Sequence, residues 1–135
     1  MDYIVAALAS VGDPAAVAQR GREAGAALGA DPADALAEIA DPVLATVTDA
    51  VPDALVATPV GGVHLAEYLT TRTFERTVHT CDLATALGQT LTMPEAAAAM
   101  SPALAGALAA RTGRAGPLLL AATGRIGLNP GYTVL

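Results

Sequence analysis

The chain has 135 residues, a net charge of −6 and 53% hydrophobic residues, 33 of them Ala. That is one domain by length, with enough apolar mass for a sizeable core and a composition that favours helix. All seven basic residues are Arg and they are scattered, which argues against binding nucleic acid, where phosphate neutralisation needs clustered cations.

Further exclusions come from Cys81, the only cysteine. It rules out an intrachain disulfide and fits a reducing compartment. Met1-Asp2-Tyr3 carries no basic leader, and no apolar run approaches the roughly 20 residues of a membrane span. A soluble, cytoplasmic protein is the expectation.

In chain order, residues 2–9 read as a short helical stub. Asp13-Pro14 is an N-cap followed by a first-turn Pro, opening a helix to about Leu28 that Gly29 ends. Asp31-Pro32 opens the next, toward Ala40. Asp41-Pro42 restarts or kinks it, and it continues to about Val51. Residues 52–63 are the least helical, an extended crossing with a turn or a short strand pair. A long helix then runs from about Leu65 to Leu87, closed by Gly88. Met93-Pro94-Glu95 opens another, to about Thr112, with Pro102 as a point of kinking or splitting. Gly116-Pro117 opens a short last helix closed by Gly124, and Leu128 to Tyr132 reads as a turn.

Chemistry concentrates in the long helix. Glu75 and His79 are four residues apart, so they stack on one face. A carboxylate and an imidazole so placed are two of the three protein ligands of a catalytic zinc site; equally, such pairs are common on solvated helix faces. Tyr68, Arg72, Glu75, His79 and Asp82 fall within a sector of roughly 80°. Leu65, Leu69, Leu83 and Leu87 form an apolar stripe along its edge, expected to face the core. A polar cluster beside a core-facing stripe is either a site or a buried network satisfied internally. His64 lies about 16 Å from Glu75 along a helix axis and is expected at the surface near the helix start. Cys81 points to the far side with Phe74 and Val78, as a small buried hydrophobe. Ser10 and Ser101 lack partners for a serine triad, and the Gly pairs match no phosphate loop.

The run Arg72-Thr73-Phe74-Glu75-Arg76-Thr77-Val78-His79-Thr80-Cys81-Asp82-Leu83-Ala84-Thr85-Ala86-Leu87-Gly88 resembles the R-x-x-E-x-x-x-H-x-x-D-L-A-x-A-x-G signature of the mycothiol-dependent maleylpyruvate isomerase family, within the DinB-like metal-binding four-helix bundles. The stretches 58–61 and 118–132 resemble it as well. The resemblance implies an all-α fold: an incomplete DinB-like bundle over residues 1–135, with 113–135 as a short C-terminal helical extension. It implies Glu75 and His79 as ligands of a divalent metal, typically zinc, with Arg72 and Asp82 in a supporting role. It implies mycothiol as thiol cofactor and a small electrophilic molecule as substrate, in an isomerase or S-transferase reaction whose acid and base it does not assign. The family's third ligand is a His on an early helix, which has no counterpart here. The chain thus resembles a member lacking its N-terminal helix and a half, with weakly held metal and activity in doubt. A homodimer covering the exposed apolar face is the expected state. The alternative is a non-catalytic helical domain for dimerisation or partner binding.

Overall fold

The computed structural model describes residues 13–135. It is mostly helical, with one small two-stranded sheet. In chain order the elements are α1 (Pro14–Ala27), α2 (Pro32–Thr48), β1 (Leu55–Thr58), β2 (Gly61–His64), α3 (Leu65–Ala86), α4 (Glu95–Arg111) and α5 (Ala115–Ala122). The expected stub at 2–9 lies outside the described residues. The chain divides into two compact units, one ending at Ala66 and the other covering Glu67–Leu135.

In the first unit the helix starts follow their capping residues. The Asp13 carboxylate accepts from the Ala15 N–H at 3.0 Å, and the Asp31 carboxylate from the Asp34 N–H at 3.2 Å. Each satisfies one of the N–H groups that a helix start leaves without a partner, and the following Pro has none to lose. α2 runs unbroken through Pro42, so Asp41-Pro42 does not restart it, and it ends at Thr48 rather than Val51. Neither helix fully buries a side chain. Leu36, Ile39, Val43 and Leu44 of α2 are all about half exposed or more.

Residues 52–63 hold the strand pair. β1 and β2 pair antiparallel with Leu55 opposite His64 and Thr58 opposite Gly61. Pro59 and Val60 make the turn, and the φ of +116° at Gly61 is open to glycine alone at little strain. The Thr58 hydroxyl donates to the Gly61 carbonyl at 2.6 Å and accepts from the Val60 N–H at 3.3 Å. Val56 opposes Val63, and Val63 is buried. The Leu65 N–H donates to the Ala54 carbonyl at 2.8 Å, so the hairpin leads directly into α3.

In the second unit α3 and α4 carry the buried residues: Thr71 and Phe74 on α3, and Ser101, Leu104, Leu108 and Ala109 on α4. Ser101, Leu104 and Leu108 recur at three- and four-residue steps, one helical face, with Ala109 beside them, and the helix is continuous through Pro102. α3 is rich in Thr, which competes with helical hydrogen bonding unless its hydroxyl is satisfied. Thr77, Thr80 and Thr85 each donate back to the carbonyl four residues earlier, at 2.7–2.8 Å. The helix ends in a Schellman turn: Gly88 has φ +64°, its N–H donates to Thr85, and that of Gln89 donates to Ala84. α5 packs on α4. The tail is clasped to the start of α5: the Tyr132 hydroxyl donates to the Arg114 carbonyl at 2.8 Å, and the Arg114 guanidinium donates to the Thr133 carbonyl.

The leucine stripe does not face a core. Leu83 and Leu87 are 60% and 61% exposed, and Leu65 and Leu69 are half-buried. The buried side of α3 is that of Phe74 and Thr71, about 120° to 180° around the helix from the leucines at 100° per residue. Phe74 offers the largest apolar surface on the helix, and that side is the one buried.

Two core substitutions follow with opposite signs. Phe74→Ala is expected to lower unfolding free energy by about 3 kcal/mol through cavity formation. The Ser101 hydroxyl is buried with no hydrogen-bond partner among the described residues. Ser101→Ala is therefore expected to stabilise by about 1 kcal/mol, removing an unpaired polar group and adding helix propensity. Urea unfolding followed by circular dichroism measures both; a loss of stability in Ser101→Ala would show that its hydroxyl is satisfied.

Candidate functional site

The polar sector of α3 lies on the side away from Phe74. Thr71 joins the two sides: its hydroxyl donates to the Tyr68 carbonyl at 2.7 Å and accepts from Arg72 Nε at 3.2 Å. The Arg72 guanidinium stands 5.0 Å from the Tyr68 ring centroid, a cation–π distance. It also reaches Glu75 Oε1 at 3.0 Å. One turn on, His79 Nδ1 faces Asp82 Oδ2 at 3.4 Å, an ion-pair distance rather than a full hydrogen bond.

Each sequence-predicted ligand thus has one charged neighbour, Glu75 having Arg72 and His79 having Asp82. The Glu75 Oε2 and His79 Nε2 atoms carry no such partner among the described residues. An Asp facing one imidazole nitrogen favours the tautomer whose other nitrogen offers a lone pair, as in many metal sites.

The sector is open to water: the side chains of Glu75, His79 and Asp82 are 51%, 77% and 71% exposed. It is a surface cluster and not the buried polar network that a core-facing leucine stripe would have produced. Among the described residues no group of three or more His, Cys, Asp or Glu gathers closely enough to hold a metal ion. His64 is exposed at the end of β2, and Cys81 is a half-buried free thiol on the Phe74 side. No helix among the described residues is long and apolar enough to cross a membrane.

The stacking of Arg72 on Tyr68 was open to sequence reading through its four-residue spacing, which the polar sector contained without pairing the two. The Arg114–Tyr132 clasp had no such signal, since its partners are 18 residues apart and one acceptor is a main-chain carbonyl.

Comparison with known proteins adds nothing to this geometry: no family model, no curated protein and no solved structure matches the chain.

Exposed ion pairs contribute little, because water screens them and long side chains lose entropy in holding them. Arg72→Ala is expected to change unfolding free energy by no more than about 1 kcal/mol in metal-free protein. Chemical denaturation checks this, and a loss approaching that of Phe74→Ala would mean that Arg72 supports the core.

Proposed function

We propose that this is a metal-binding helical protein of the DinB-like kind, with Glu75 and His79 as its ligands to a divalent metal, zinc foremost. The observation that supports this reading is the arrangement of the two donors. They sit one turn apart on a single helix, each with one charged neighbour on one of its two donor atoms and with its side chain open to water. Carboxylate oxygen and imidazole nitrogen are both zinc donors. The fit is partial, because a catalytic zinc takes three protein ligands and this face supplies two.

The resemblance of residues 72–88 to the mycothiol-dependent maleylpyruvate isomerases supports the chemical class: a thiol-dependent isomerase or S-transferase acting on a small electrophilic molecule. A metal held at Glu75 and His79 supplies Lewis acidity, which lowers the pKa of a thiol or water at an open position. Arg72 holds the Glu75 carboxylate and Asp82 orients the His79 ring; neither is assigned as acid or base.

Competition with a chromophoric chelator tests the ligands. Dilute protein is expected to hold zinc loosely and below one equivalent, and His79→Ala and Glu75→Ala to lose what binding there is. Unchanged binding in His79→Ala overturns the assignment. A full chelator-resistant equivalent in each chain overturns the two-ligand description.

A second reading, a non-catalytic association domain, is favoured by the exposed Leu36, Ile39, Val43 and Leu44 of α2. It predicts self-association in EDTA at low micromolar concentration, weakened by Ile39→Glu. Sedimentation equilibrium showing a monomer near 13.4 kDa under those conditions removes it.

A further inference from the structure

We infer that a second copy of this chain completes the metal site, two α3 helices crossing antiparallel so that one zinc is held by Glu75 and His79 of both. This rests on the reading of Glu75 and His79 as ligands and not on the thiol chemistry. Among the described residues no third His, Cys, Asp or Glu gathers with Glu75 and His79, so a further protein ligand for a metal on this face comes from a second copy docked there.

The order of charges along α3 selects a copy of itself. Arg72 and Asp82 lie five residues before and after Thr77, and Glu75 and His79 lie two before and after it. A two-fold axis lying between the two helices at the level of Thr77 exchanges these positions. It sets Glu75 beside the partner's His79 and Arg72 opposite the partner's Asp82, acid against base at both distances. The same surface serves both copies, as a two-fold interface requires. Arg76, exposed next to the centre, balances the sector: with Arg72, Glu75 and Asp82 it brings each chain's formal charge there to zero, so the pairing meets no net repulsion.

The apolar rim agrees with this placement. Leu83 and Leu87 border the polar sector and stand well exposed. Under the same two-fold Leu83, about 60° around the helix from the middle of the sector, comes level with the partner's Thr71 at the rim of the contact, which removes part of it from water. The resulting shell of two imidazole nitrogens and two carboxylate oxygens has the four ligands of a closed, tetrahedral zinc site. Zinc there assembles the pair.

Sedimentation equilibrium of the full chain, titrated with zinc chloride and then with EDTA, tests this. Zinc is expected to double the mass found in EDTA, to saturate at one zinc per two chains, and to lose its effect when EDTA is added. His79→Ala and Glu75→Ala, both at exposed positions, are expected to keep the helical circular dichroism of the parent and to abolish the doubling. Binding of one zinc per chain without a change in mass overturns the pairing and leaves the ligand assignment standing. No zinc binding overturns both. A doubling that persists in His79→Ala places the junction elsewhere and overturns the inference.

Discussion

The rotational setting of α3 about its own axis governs what this protein offers to its surroundings. Burial of Phe74 and Thr71 fixes that setting. Once they face inward, the helical period turns Leu83 and Leu87 outward, while Glu75, His79 and Asp82 lie on the flank beside Thr71 and are exposed there. A helix with the leucine stripe inward would have placed the polar sector at the edge of a core, where each of its groups would need an internal partner. The observed setting removes that demand and gives solvent-open donors in its place.

Most of the helices are products of local rules. The Asp-Pro starts of α1 and α2 are capped by the carboxylates the sequence offers, and the α3 end is a Schellman turn at Gly88. Because these devices act within a few residues, element type and most boundaries were legible in the sequence. The prolines inside α2 and α4 were harder to read. Each removes one N–H donor, but a helix continues where its neighbouring bonds hold it, and both do.

What the sequence left ambiguous was which face is inside. α3 has two apolar candidates, four leucines on one side and Phe74, Val78 and Cys81 on the other, and its threonines blur the contrast between them. Periodicity counts apolar residues and cannot weigh one aromatic ring against several leucines whose other partners are unknown. The polar cluster itself was legible, since i to i+3 and i to i+4 spacing alone brings Arg72 to Glu75 and His79 to Asp82. Its exposure was not, since that depends on the rest of the fold.

Exposure also decides what the cluster can do. In water an Arg–Glu or His–Asp pair is weak, so these pairs are poor candidates for holding the fold together. Each neighbour nonetheless narrows the orientations of a donor, and a donor so restrained loses less entropy when it takes a metal. The restraint is incomplete: at 3.4 Å the His79 ring is guided by Asp82 rather than fixed. A surface pair of this kind gains real affinity only when further ligands arrive and water is excluded around them. The exposed leucines at the edge of the same sector are the means of excluding it, which couples metal affinity on this helix to whatever covers Leu83 and Leu87.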